Sequence, residues 1–365
     1  MKFSAEGLTV FTPRIAYQVA FRKKVLLFFL LLFLLAFFMV WAITIGTYDL
    51  SLAKIGEALW GSDFSHSRTV IWQIRLPRIF AAVASGWGLA LAGLIFQSIL
   101  KNPLASPSTL GISQGAAFGA AFSIVVLGAG GIQSGTMRIQ GASPLNILSL
   151  YAITLSAFIG ALAASLVILG LARIRKMSAE AIILAGVALS SLFVSGTILL
   201  QYFASDLEVA AVVFWTFGDV ARSTWREIFL LFVAAIGATL YFLGKRWNLN
   251  ALLAGEDVAK SLGVNVEKER LWGMLIATAL TALVTCFHGI IAFLGLLAPH
   301  IGRRLIGSDH RVLIPHSCLI GAMLLLLADT IGRTIIGSGT LPVGVLTSFM
   351  GAPLFLYLLM QKDHR

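Results

Sequence analysis

The chain has 365 residues, 58% hydrophobic and only 12% charged, against roughly half apolar and a quarter charged in soluble domains. With a mean hydropathy of +0.92 it reads as an integral membrane protein, and apolar runs of about 20 residues without the ~10-residue alternation of a barrel make it all-α and polytopic. The net charge of +11 does not indicate nucleic acid, because the basic residues sit in short segments between apolar runs, where they set topology and meet anionic lipid.

A basic leader, residues 1–24, precedes an apolar run from Val25 to Ile45. That run is too long for a signal-peptide core and lacks an A-x-A cleavage site, so it reads as a first membrane helix near 25–46. Further helices are predicted near 76–100, 108–128, 147–171, 180–203, 226–244, 271–288, 290–302, 312–336 and 343–360, ten in all. The segment near 290–302 is brief and carries Gly295 and Pro299, which suits a broken or partly re-entrant helix. No soluble domain and no internal repeat interrupts the series.

Orientation follows from the 27 Lys and Arg residues. An inside N-terminus places most of them in the cytoplasm: Lys2, Arg14, Arg22, Lys23, Lys24, Lys101, Arg173, Arg175, Lys176, Lys245, Arg246, Lys260, Lys268, Arg270, Arg303, Arg304, Arg311, Lys362 and Arg365. Both termini are then cytoplasmic. The outside minority is Lys54, Arg68, Arg75, Arg78, Arg138, Arg222, Arg226 and Arg333. Arg75, Arg78 and Arg333 thus face outward against the trend. Arginines there suit either charge-assisted docking of an acidic partner or snorkelling to headgroups, and Arg333 also has Asp329 one turn earlier as a partner.

Other motifs are judged by context. The turn Lys101–Gly111 holds two prolines and Ser108 as a candidate N-cap. "GISQG" (111–115) matches the nucleophile elbow of serine hydrolases around Ser113, but no strand precedes it, and small residues there more simply let helices approach. His300 and His316 each sit beside a proline without metal-ligand spacing, and Cys286 and Cys318 read as small core residues. Ser190, Ser191, Ser195 and Thr197 put a weakly polar stripe on the helix at 180–203. In "AGEDVAKSLGVNVEKER", Ala254, Val258 and Leu262 fall at i, i+4 and i+8, with Gly263 placed to end a short amphipathic helix. That helix suits insertion into a partner's groove or rest on the bilayer. No Walker A is present: Thr239 and Arg246 replace the required glycine and hydroxyl around Gly244-Lys245, so ATP is hydrolysed elsewhere.

Four ordered segments carry a family resemblance: "RLPRIFAAVASGWGLALAGLIFQSILKNPLASPSTLGISQGAAFGAA" (75–121), "AGEDVAKSLGV" (254–264), "GIIAFLGLLAPHIGRRLIGSDHRVLIP" (289–315), and "LLLLADTIGRTI" followed by "LPVGVLTSFMGAPLFLYLL" (341–359). Over about residues 40–360 the chain resembles FecCD-type permeases, the membrane subunits of type II ABC importers for iron-siderophores, haem and vitamin B12. The resemblance implies one B12-importer-permease-like domain over 1–365, ten helices per subunit, and a homodimer. It also implies a cytoplasmic ATPase dimer that binds ATP and Mg, so that this chain has no cofactor and no catalysis of its own, and an extracytoplasmic substrate-binding protein. The implied location is the inner membrane of a bacterium or archaeon.

Carried over residue by residue, the resemblance assigns binding-protein docking to Arg75, Arg78 and Arg333. It assigns ATPase coupling to the loop 247–270, through Gly255, Glu256, Asp257, Val258, Ala259, Leu262 and Gly263. In that docking Glu256, Asp257 and Lys260 form the rim, and Val258, Ala259 and Leu262 are buried in the partner. It places Ser190, Ser191, Ser195 and Thr197 along the translocation path on the dimer axis. Thr340 departs from the family, which often has an acidic residue there. Iron-siderophore is the first expectation for cargo, with haem and cobalamin behind it. The rival classes are an ion-coupled secondary carrier, which would have to build its relay on Asp329, and an intramembrane hydrolase built on Ser113.

Overall fold

A computed structural model describes residues 13–46, 51–60, 66–129, 145–175, 178–335 and 341–360. Lys2, Arg138, Lys176, Thr340, Lys362, Arg365 and the first twelve residues of the expected leader lie outside them. The described elements are all helical. Each of the ten predicted helices has a counterpart: α1 (Pro13–Thr44), α4 (Leu76–Ile99), α5 (Ile112–Val125), α6 (Leu145–Arg175), α7 (Ala179–Phe203), α9 (Trp225–Gly244), α12 (Val266–His288), α13 (Leu294–Ile306), α14 (His310–Ile335) and α15 (Val343–Met360). Seven described helical stretches are long and apolar enough to cross a membrane, and α5 and α15 are shorter apolar helices. The broken segment near residue 290 is the irregular stretch before α13, where Phe293 takes φ +64°.

Between these lie short helices that hydropathy did not reveal: α2 (Leu52–Trp60), α3 (His66–Thr69) leading through a π-helical turn (Val70–Arg75) into α4, α8 (Asp206–Thr216), and α10 (Arg246–Ala254). The amphipathic helix read from the 254–264 motif is α11 (Glu256–Ser261). The α1 helix begins within the expected leader, at Pro13. One local expectation needs correction. Ser108 is not an N-cap, because Gly111 in the left-handed region (φ +74°) begins α5 three residues later and the Ser108 hydroxyl meets Ser106 Oγ at 2.9 Å.

The centre of the fold is α4, which is buried on nearly every side, as expected of a helix that is apolar all round. It packs on α14, α12, α13 and α9. Small residues set the spacing: a Cβ on Gly86 would enter the Gly321 backbone of α14, and one on Gly93 would enter the Gly295 backbone of α13. In lipid, where burial of apolar surface drives no association, such backbone proximity supplies the packing energy. By contrast α7 buries only Ile182 and Gly186, leaving a long apolar face uncovered by this chain.

Candidate functional site

At the N-terminal end of α4, the π turn delivers Arg75, and Pro77, within the first turn of the helix, removes an N–H that would lack an intrahelical partner anyway. Arg78 Nε donates to Asp329 Oδ1 at 2.8 Å. Arg333 approaches the other carboxylate oxygen at 3.4 Å and donates to the Ile45 carbonyl at the end of α1. Arg75 donates to the Ile43 carbonyl of the same helix. The three arginines are 3%, 7% and 8% exposed, and Asp329 is fully buried. The geometry brings together the three residues predicted from the motifs, turned inward onto α1 and α14.

Two further groups complete this end. Asp219, in the loop after α8, lies 3.7 Å from Arg78 Nη2 with its side chain 32% exposed. Its backbone N–H donates to the His288 carbonyl, and the His288 ring lies between Ser223 Oγ at 2.7 Å and Ser85 Oγ at 3.0 Å. Sequence reading missed Asp219 and His288, because their partners stand between 65 and 203 positions away and no local spacing records them.

At the other end of α4, α10 and α11 meet at Gly255, whose φ of +132° only glycine adopts without strain, and Gly263 at φ +81° closes α11. Val258 and Leu262 are 44% and 67% exposed, whereas Ala259 is fully buried. Ala259 therefore packs on its own chain, and Glu256, expected at a rim, is bound at 2.6 Å by Arg270. Asp257 and Lys260 are exposed. Lys245 donates to Glu269 at 2.9 Å, and this bond outweighs partial burial to raise the lysine pKa. Trp247 of α10 is exposed, with the Arg311 guanidinium 5.0 Å over its ring, a cation–π distance. Asp309, just before α14, is bonded by Arg311 and Asn250. Burial opposes ionisation there, but those hydrogen bonds win and carry its pKa down to about 2.

Between α5 and α7 lies a hollow of about 420 Å³ lined by Ser108, Thr109, Gln114, Ser190, Ser191 and Ser195 together with Val187 and Val194. Three of the four predicted path residues thus meet in one hollow with no charged side chain on its wall. Thr197 lies outside it, its hydroxyl returned to the Phe193 carbonyl at 2.9 Å. Ser113, also on α5, is buried in the first turn of a helix preceded by a turn, not a strand. His316 sits between the carbonyls of Val312 and Lys24, and both cysteines are buried thiols. Among the described residues no group of three or more His, Cys, Asp or Glu could hold a metal.

Comparison with known proteins follows the same outline. Residues 33–361 match the FecCD transport family. The chain is 53% identical over 349 residues to a protein of Methanocaldococcus jannaschii named as an ABC transporter permease, MJ0087, covering 96% of this chain and 98% of that one. It is 34% identical to the hemin transport system permease protein HmuU of Yersinia pestis, covering 92% and 96%. A solved structure described as an inward-facing conformation of a metal-chelate type ABC transporter superposes with a TM-score of 0.77 at 31% identity, covering 92% of this chain and 99% of that one.

Proposed function

The chain belongs to the FecCD transport family, as an ABC importer permease, and on that premise we propose that it passes an iron chelate of the siderophore class into the cytoplasm. Haem and cobalamin are the rival cargoes. Energy comes from ATP hydrolysis in separate subunits. The observation that carries the partner assignment is the exposure of Val258 on α11, of Leu262 at its C-cap and of Trp247 on α10. An apolar edge on a short polar-flanked helix suits a groove on an ATPase, with Asp257 and Lys260 at its margin. The wall of the α5–α7 hollow, hydroxyls and one amide beside Val187 and Val194 with no charged group, suits a bulky chelate that must slide without sticking. The uncovered face of α7 suits a second copy of the chain.

An extracytoplasmic binding protein is proposed to meet the face braced by Arg75, Arg78 and Arg333. Because these side chains are occupied internally, an incoming carboxylate reaches Arg78 by displacing the half-exposed Asp219, so docking couples to the α8–α9 loop. The ion-coupled alternative asks Asp329 to change partners during a cycle. The two arginines that hold its carboxylate, within 2.8 and 3.4 Å, work against that.

The test is a mild-detergent purification from the native host, with mass spectrometry of co-purified chains and absorbance and iron analysis of bound ligand. Recovery of an ATPase and a binding protein, with a ferric-chelate charge-transfer band, is the expected result. A haem or corrinoid spectrum moves the cargo to that class, a colourless iron-free ligand refutes the iron assignment, and a chain recovered alone refutes the assembly.

A further inference from the structure

We propose that Asn250 and His310 are positioning residues that carry movement of α10–α11 into α4, and through it to the outer face; the inference rests on the ATPase-docking reading above. The side-chain amide of Asn250, on α10, makes three contacts at the head of α14. Its Nδ2 donates to Asp309 Oδ1 at 2.9 Å, its Oδ1 accepts from the His310 backbone N–H at 2.9 Å, and the same Oδ1 lies 2.8 Å from His310 Nδ1. An amide oxygen only accepts, so Nδ1 carries the ring proton, and in the neutral ring Nε2 is left to accept. Ser98 Oγ, in the last turn of α4, stands 2.7 Å from that Nε2 and 2.7 Å from the Leu94 carbonyl of its own helix, so its one proton is shared between the two acceptors. His310 and Ser98 are 1% and 2% exposed, so water does not replace the bond between them.

Other hydrogen bonds from the α10–α11 region are half-buried like those of Asn250 and differ in destination. Lys245–Glu269, Asn248–Glu269 and Glu256–Arg270 all lead to α12, and their ion pairs are partly exposed, the class of interaction that contributes little. Leu249 and Leu252 bury the underside of α10, but apolar burial is non-directional and does not set register. Every bond of the Asn250–His310–Ser98 path is directional, Asn250 being half-buried and the His310–Ser98 end fully buried. Beside it, Gln97 of α4 accepts from Arg303 of α13 and donates to the Gly295 carbonyl, so α13 is tied to the same turn.

What α4 receives it shares with α14 along their whole length. The two helices are joined inside by Ser98–His310, midway by the Gly86–Gly321 backbone approach, and outside by Arg78–Asp329. Three ties at separate depths prevent sliding, so the pair shifts as one body. A push at Asn250 therefore arrives at the arginine cluster, and by linkage a partner docked outside changes the cytoplasmic side by the same factor.

The experiment uses the permease assembled with its co-purified ATPase in nanodiscs, and the co-purified binding protein as probe. Affinity for the binding protein is measured with and without a non-hydrolysable ATP analogue. In the wild type the nucleotide is expected to change that affinity by at least about fivefold. In Asn250→Ala and in Ser98→Ala the change falls below about twofold, with ATPase recovery and basal hydrolysis retained. Ser98→Thr, which keeps the hydroxyl, keeps the wild-type response, and the double variant is no worse than either single one because both cut the same path. A wild-type response in both single variants overturns the proposal, and so does loss of ATPase binding in Asn250→Ala, which would make the residue part of the docking face alone. A wild type that recovers no ATPase fails earlier and refutes the docking reading itself.

Discussion

Replacing Asp329 by Asn tests whether Arg78 and Arg333 are held as the structure places them. The substitution keeps shape and removes the charge that faces Arg78 Nε at 2.8 Å and Arg333 Nε at 3.4 Å. At an effective dielectric of about 20, those attractions are worth about 6 and about 5 kcal/mol before desolvation. The carboxylate no longer has to be stripped of water, which returns several kcal/mol. What remains is two buried guanidiniums, 7% and 8% exposed, with the partly solvated Asp219 as the nearest other carboxylate. The net loss for breaking a buried network at one member is about 3–5 kcal/mol. With about 2.1 cal/mol/K of unfolding entropy per residue, the thermal midpoint drops by about 4–6 °C. The assay is intrinsic fluorescence during heating in one detergent, paired with size-exclusion of the heated sample. Asp329→Asn/Arg333→Met should recover part of the loss by removing one orphaned cation. A single variant that melts within 1 °C of the wild type, or a double variant less stable than the single, refutes the buried triad.

Leu262→Glu leaves folding intact, because the side chain is already 67% exposed, and lowers ATPase recovery at least about tenfold, one decade per 1.4 kcal/mol of interface energy; undiminished recovery by quantitative pull-down removes α11 from the interface. Ser190→Phe and Ser195→Phe each fill part of the 420 Å³ hollow, so uptake into proteoliposomes is expected to stop while ATP hydrolysis continues, and normal uptake would move the path elsewhere. Asp309, its pKa depressed to about 2 in the fold against about 3.9 in an unfolded chain, contributes stability that is present above pH 4 and is lost as pH falls from 4 toward 2. Asp309→Asn should flatten that part of the melting profile, and an unchanged acid slope would count against the Arg311–Asn250 contacts. Ser113→Ala should leave transport unaltered, and a defect larger than threefold would reopen a chemical role for that hydroxyl.

The class of protein was legible because it depends on one-dimensional quantities. Run length, the positions of Lys and Arg, and four ordered motifs were enough for ten helices and for the family, since a helix in lipid satisfies its own backbone and leaves few alternatives. Local caps were harder. The start of α5 moved because Gly111 in the left-handed region overrides the nearby serine, a choice of backbone conformation that residue type alone does not record. The short helices α2, α8 and α10 escaped notice because, at 9 to 11 residues, none is long enough to register as an apolar span.

The site divides in the same way. Arg75, Arg78 and Arg333 could be singled out as charges on the sparse side of the membrane, but the sequence left open whether they face a partner, lipid or one another. Only tertiary structure decided that Arg78 shares Asp329 with Arg333 across 251 positions of chain. It likewise turned Ala259 inward while Val258 and Leu262 stayed outside, and seated Ser98 against His310. Periodicity names the residues on a helix face but not which neighbour covers that face, and a buried hydrogen bond is specified by two helices meeting at contact distance. That meeting is set by the glycines packing α4 against α13 and α14, so the polar pairs that distinguish this permease emerge only once its helices are assembled.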